Sequence, residues 1–342
     1  MLNKKALICM VGVVLLLSVF TAGCGGGGQP EGQNDQIEIK FSHVVGPQTP
    51  KGLAAQKFAE LVDEYTDGRV KVKVYPSSSL YGDGEEFEAL QANNVQMIAP
   101  SAGKLVAFNQ KYQLPDLPFL FNDEEASNRF WDGPGGQQLF SELESQGMKA
   151  LASWPNGMRQ WMNGKVIIKT PEDVKGLKFR VPSGGVLTQI HDVLGAGAVG
   201  MPFADVYTAL QQGTVDGTVA SFDNIKTERY YETIKYLTIA NLNSLNYVVI
   251  ANAEFWNGLP EDIRPEIEKA LAEATEYERQ ISAQNNAVDG EIGQLLIENG
   301  VEIYELTPEQ KDAFREALKP LYDEFTPVIG ADLIELAKQA NQ

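Results

Sequence analysis

Two arginines, Arg159 and Arg180, stand where the chain changes direction, the first in "WPNGMRQWMN" and the second in "GLKFRVPSG". Their neighbours are turn glycines, prolines and aromatics, not the mixed charges of a solvated helix face. A guanidinium offers paired N–H donors that match both oxygens of a carboxylate, so an arginine at a partly buried strand end suits the capture of a small anion in a cleft. A buried structural ion pair uses the same residue type in the same places, and spacing alone leaves both readings open. His43 follows the first predicted strand directly, in "SHVVG". Ligands of open α/β sheets bind beyond the carboxyl ends of strands, which makes His43 a candidate contact, with a surface-loop histidine as the plain alternative.

Other chemistries lack parts. The run Gly195 to Gly200, "GAGAVG", has the spacing of a dinucleotide fingerprint, but the preceding "VLTQIHDVL" reads as helix where that motif needs a strand. The chain contains only two histidines, His43 and His191, without paired metal-ligand spacing, and no G-x-S-x-G elbow. Zinc and serine hydrolysis are therefore disfavoured, and no metal or cofactor is expected. His191 reads as a packed helix residue.

The elements that must hold the arginines are those of an α/β protein. "IEIKFS" (Ile37 to Ser42) and "VKVKVYP" (Val70 to Pro76) alternate strictly, and Ala54, Phe58, Leu61, Val62 and Tyr65 share one helical face between them, which predicts a βαβ unit. Gly68 closes that helix. Further strands are predicted at 97–99, 149–153, 177–181, 217–220, 247–252 and 301–305. Helical character persists from Pro260 to about Glu298, a length that at 1.5 Å per residue reaches on the order of 50 to 60 Å. A break near Asn285 or Gly290 is the alternative, because Gly290 and Gly293 weaken the pattern.

Composition sets the class. The 342 residues exceed what one core usually serves, which predicts two lobes. Apolar residues make up 43%, enough for two real cores. With 28 basic against 46 acidic residues the net charge is -18, which argues against nucleic acid and polybasic membrane contacts. The same field repels a distant anion, so an anion site has to be locally basic and desolvated.

The first residues read as an address. Lys4 and Lys5 precede the apolar run Ala6 to Phe20, short for a membrane span of about 20 residues, and small residues follow it. Residues 1–23 are therefore expected to be a signal peptide. "TAGC" resembles the lipobox of bacterial lipoproteins, with Thr21 where an aliphatic residue is usual, so Cys24 is expected to carry lipid; ordinary secretory cleavage is the alternative. Residues 24–35 read as a glycine-rich flexible tether. Only two cysteines exist, Cys9 in the leader and Cys24, so the folded region is expected to have no disulfide or cysteine-held metal.

The order of "SHVVGPQTPKGLAAQKFAELVDEYTDGRVKVKVYPSSSLYGD", "EALQANNVQMIAPS", "LPDLPFLF", "GLKFRVP", "MPFADVYTALQQGTVDG" and "FWNGLPEDIRPEI" resembles the DctP-type binding proteins of tripartite ATP-independent periplasmic (TRAP) transporters across the whole mature chain. The resemblance implies a two-lobed periplasmic-binding-protein-like α/β fold with hinge-crossing strands and a long helix spanning both lobes. By the same analogy lobe I holds about residues 36–157 plus 246–285, and lobe II about 158–245 plus 286–342. It also implies an organic acid bound in the cleft, an integral membrane permease as partner, and no catalysis.

By motif, Arg180 matches the arginine that clamps the ligand carboxylate, and Arg159 a second polar or basic contact. Trp154, Phe203 and Phe222 are expected as cleft walls. The chain departs from the family where many relatives read "VDGxENP": here "VDGTVASFDN" puts Ala220 in place of the asparagine and Val219 in place of the acid. Asn224, Ser221 or Phe222 are the available substitutes. The lost donor favours a ligand with less polar middle atoms than a sugar acid. The expected ligand is a C4-dicarboxylate such as succinate, malate or fumarate. Uronate, aromatic or branched acids are the alternatives, and a secreted enzyme acting on an organic acid is the rival class.

Overall fold

Alternating apolar side chains in two short runs begin the first sheet. The computed structural model describes residues 36–182 and 185–342; the expected leader and the whole tether, Cys24 included, fall outside them. Strands β1 (Ile37–Ser42) and β2 (Val70–Tyr75) pair in parallel, with Ile37 opposite Val70 and Ser42 opposite Tyr75. Between them α1 (Pro50–Tyr65) starts on Thr49, whose side chain accepts the Gly52 N–H, with Pro50 in the first turn where its missing N–H costs nothing. Ala54, Phe58, Leu61 and Val62 bury one face of α1, which completes the expected βαβ unit. Helix α2 (Glu85–Gln91) then leads to β3 (Met97–Ile98), parallel to β1.

After α3 (Glu124–Asp132) and α4 (Pro134–Glu142), β4 (Met148–Met158) runs on through Arg159 into β5 (Gln160–Asn163). Next come β6 (Lys178–Val181), α5 (Val186–Val193), β7 (Gly197–Gly200), α6 (Val206–Gln211), β8 (Gly217–Ala220), α7 (Phe222–Thr227) and β9 (Tyr236–Ile239). The chain returns as β10 (Ser244–Asn252), followed by α8 (Ala253–Asn257), α9 (Arg264–Asn285), α10 (Glu291–Glu298), β11 (Glu302–Glu305), α11 (Pro308–Ile329) and α12 (Ala331–Gln339).

Two sheets result, ordered β2-β1-β3-β10-β4 and β11-β9-β5-β8-β6-β7. Each has its own apolar face: Phe41, Phe58, Val249 and Ile267 belong to one core, Met162, Ile225, Leu237 and Leu296 to another. The strand connections β4–β5 and β9–β10 cross between the sheets side by side. They are tied where they cross, because the Arg159 N–H donates to the Asn243 carbonyl (2.8 Å) and the Leu242 N–H to the Arg159 carbonyl (2.9 Å). This paired crossing is the hinge.

Helix α9 is shorter than the sequence pattern predicts. Its 22 residues span about 33 Å. Asn286 caps it, donating from Nδ2 to the Ser282 carbonyl, and Gly290 then starts α10 in extended conformation. The break falls in the region that the two glycines weaken. Even so, α9 packs on α1 and β4 of the first sheet and reaches α7 of the second. The C-terminal helices also bridge: α11 packs on α5, whereas α12 lies against α3 and α4, with Arg129 Nε donating to the Ala340 carbonyl.

Candidate functional site

A small cavity of about 40 Å³ lies between the two sheets at the hinge. Arg180 enters it from β6, a strand held by both neighbours: Arg180 pairs with Val199 of β7 and Thr218 of β8, and the Thr218 hydroxyl donates to the Arg180 carbonyl (3.1 Å). The guanidinium is docked by the loop after β7, with Nε and Nη2 donating to the Met201 carbonyl at 3.2 and 2.9 Å. Nη1 has no hydrogen-bond partner among the described residues, and no carboxylate there forms a salt bridge with Arg180. The residue is only 5% exposed. Burial pulls its pKa below the usual arginine value and the Arg159 charge adds to this, while Tyr230 and Asp83 act the other way. A buried cation without a paired acid is costly, and an anionic guest removes that cost.

Arg159 also lines the cavity, with one of its two terminal nitrogens committed inside the protein. Its Nη1 donates to Asp116 Oδ1 (2.8 Å), Asn243 Oδ1 (3.0 Å) and the Ser244 carbonyl (2.9 Å). Arg159 thus combines the two readings left open by its spacing: one edge is a buried ion pair that fastens the hinge, and the residue still borders the cleft.

Of the remaining predicted contacts, Phe203 and Asn224 line the cavity, whereas Trp154, Phe222 and His43 do not. Trp154 is core: its indole donates to Thr275 Oγ1 (2.8 Å) and its ring packs 5.9 Å from Phe41. Phe222 is buried with Ile225 and Tyr230 beneath the cavity wall. His43 is turned inward because the chain folds back after β1, its N–H donating to the Tyr75 carbonyl and its carbonyl accepting the Ser78 N–H. Its ring nitrogens have no partners among the described residues; burial, helped by the Lys51 charge, lowers its pKa to about 3, so the imidazole is neutral.

Around the departure at Ala220, which faces the cavity, Asn156 Nδ2 donates to Ser221 Oγ (2.8 Å) and Asn224 Oδ1 (3.0 Å). Asn224 also meets the Tyr247 hydroxyl. Ser221 and Asn224 thus serve the link across the hinge, and only Asn224 also reaches the cavity.

Among the lining residues that escape the sequence reading, four carry a charged or phenolic side chain: Asp83, Lys104, Tyr230 and Tyr247. Asp83 and Lys104 form an ion pair within the first lobe, and Asp83 Oδ2 accepts the Phe203 N–H of the second lobe (2.8 Å). Burial opposes ionisation of Asp83, but Lys104 and the Phe203 N–H together hold its pKa below the usual carboxylate value. Both residues follow strand ends, Asp83 after β2 and Lys104 after β3. The rule that singled out His43 therefore also covers them.

Behind the cavity, three acids gather where α9 meets α3 and α7: Glu278 on α9 and Asp223 on α7 are buried, and Glu124 on α3 is half-buried. Glu124 accepts from Ser282 Oγ (2.9 Å), Asp223 accepts from Asn285 Nδ2 (2.9 Å), and Glu278 is fully buried without a partner among the described residues. Burial pushes Glu124 and Asp223 up to about 7 and Glu278 higher than an ordinary carboxyl. A raised carboxyl pKa stabilises the fold below the unfolded-state value and loses that contribution as pH rises through the folded-state value. Asparagine mimics protonated Asp223. Asp223→Asn should therefore be more stable than the native protein at pH 8, by up to a few kcal/mol, and should lose this advantage at pH 4. Thermal melts at the two pH values measure it, and an identical difference at both would reject the assignment.

A profile of the DctP family, bacterial extracellular solute-binding protein, family 7, matches residues 41–327. The C4-dicarboxylate-binding periplasmic protein DctP of Rhodobacter capsulatus is 43% identical over 307 residues, 90% of this chain and 91% of that protein. Two crystal structures of TRAP periplasmic solute-binding proteins with bound succinate are similar. The one from Shewanella oneidensis has TM-score 0.86 and 39% identity, covering 90% of this chain and 99% of its own. The other, from Sulfurospirillum deleyianum, has TM-score 0.84 and 40% identity with the same coverage.

Proposed function

The chain belongs to the DctP family of bacterial extracellular solute-binding proteins, family 7, and from that membership we propose that it captures a C4-dicarboxylate and delivers it to the membrane permease of a TRAP transporter. The observation that carries the reading is Arg180, a buried guanidinium facing an interlobe cavity with no acid of its own. Arg180 binds one carboxylate in paired fashion, and the cavity edge of Arg159 contributes to the same locally basic wall. Phe203 and Asn224 complete contacts from the second lobe, and Ala220 leaves the middle of the guest without an amide donor. Succinate, bound by both similar crystallised proteins, fits that pattern. Ligand binding stabilises the closed lobes, divided at about residues 36–157 plus 246–285 and 158–245 plus 286–342, with α12 bridging back. The protein is a carrier of its ligand and performs no chemistry on it.

Among the described residues no helix is long and apolar enough to cross a membrane. Attachment is proposed through lipid on Cys24 after removal of residues 1–23, with the following glycines as tether. One experiment tests ligand and anchor together. Protein extracted from its native membrane is denatured, and mass spectrometry is applied to the released small molecules and to the amino-terminal peptide. Recovery of an unchanged C4 diacid and a lipid-modified Cys24 peptide is expected. A neutral ligand would overturn the first part, and an unmodified terminus the second.

A further inference from the structure

The cavity wall holds three cations, and they are not equivalent. Arg180 has no acid of its own, Arg159 is neutralised from behind by Asp116, and Lys104 is paired with Asp83. Three cations against two carboxylates leave one positive charge in surplus, which balances a monoanion but not a dianion. The second negative end of a diacid therefore has to share a cation that already has a partner. Arg159 keeps Nε and Nη2 free of protein acceptors among the described residues, but its charge already answers Asp116 and lies close enough to Arg180 to act on the same carboxylate. Lys104 is different. An ammonium has three donors, and Asp83 is the partner found for it among the described residues. Asp83 in turn divides itself between Lys104 and the Phe203 N–H of the facing lobe, so it does not saturate the ammonium. Lys104 and Asp83 border both the cavity and the larger apolar groove outside it, which places them in the partition between guest and solvent.

We propose that Lys104 receives the second carboxylate of the guest and thereby selects diacids over monoacids. Asp83 holds the ammonium in position and latches the lobes through Phe203, so recognition of the far carboxylate and closure share one group. This assignment rests on the dicarboxylate reading above and adds its selectivity residue.

The test compares succinate with succinamate, in which an amide replaces one carboxylate, by calorimetric titration. The wild-type protein should prefer succinate at least tenfold. Lys104→Met should lose at least tenfold in succinate affinity while succinamate changes less than threefold, and Lys104→Arg should keep most of the preference. Because Lys104→Met strands the Asp83 carboxylate, the double variant Lys104→Met/Asp83→Asn is measured in parallel. It keeps an acceptor for the Phe203 N–H without either charge, and should show the same loss of preference. Equal losses for both ligands, or a wild-type protein indifferent between them, would overturn the inference. A wild-type protein that binds no C4 diacid at all would instead overturn the function proposed above.

Discussion

Arg180→Ala binds a C4-dicarboxylate at least a hundredfold more weakly than the native protein. Each hydrogen bond to a charged group contributes about 1.5–3 kcal/mol, and the paired geometry supplies two. The loss is not confined to those bonds, since the guest's carboxylate would be enclosed beside Asp83 with less positive charge to oppose it. Arg180→Lys should recover only part of the affinity. Its ammonium cannot hold the Met201 carbonyl through Nε and Nη2 while presenting a planar pair of donors to the guest. Calorimetric titration measures both variants, and an alanine variant equal to wild type would remove Arg180 from the site.

The second large effect concerns stability. Asp116→Ala leaves the Arg159 guanidinium, 3% exposed, without its carboxylate at the point where two strands cross between lobes. Breaking a buried pair by removing one partner typically costs about 3–5 kcal/mol. For a protein of this size that corresponds to a fall in Tm of roughly 5 to 15 °C. Burial already pushes Asp116 above the usual carboxylate pKa despite the arginine beside it, which marks the pair as costly to assemble and worse to leave half-made. Asn243 and the Ser244 carbonyl remain as neutral acceptors, so the hinge loosens without disappearing. A melt unchanged within 2 °C, on the same scale, would show that Arg159 does not depend on Asp116.

Much of the fold is legible because local and global signals agree. Strict alternation in β1 and β2 with the Thr49-Pro50 start of α1 leaves few alternatives to a βαβ unit. Strands β5, β7 and β9 are not legible for the opposite reason. Length does not separate them, since β6, β8 and β11 are also four residues long; β7 is the segment "GAVG", which has almost no side-chain pattern and is fixed by pairing with β6, and β5 and β9 take their place from pairing with each other. The long helix is over-read at its end because apolar residues continue past Asn286, and the end is decided by the Asn286 side chain folding onto Ser282.

At the site the arginines could be named from donor chemistry, and their division of labour could not. Nothing in the spacing reveals that Asp116, 43 residues before Arg159, meets it at 2.8 Å. Aromatic residues are the least readable of the predicted contacts. Phe203 reaches the cavity whereas Trp154 and Phe222 pack into cores, and only the direction of each side chain separates them. Asp83 and Lys104 follow the strand-end rule, but their importance comes from a third residue, Phe203, contributed by the other lobe.

A crystal structure of the protein grown with succinate decides the matter most directly. The guanidinium of Arg180 should lie about 2.7–2.9 Å from both oxygens of one carboxylate, inside the closed interlobe cavity. Succinate found elsewhere, with Arg180 still turned wholly to the Met201 carbonyl and the cavity filled by solvent, would contradict it.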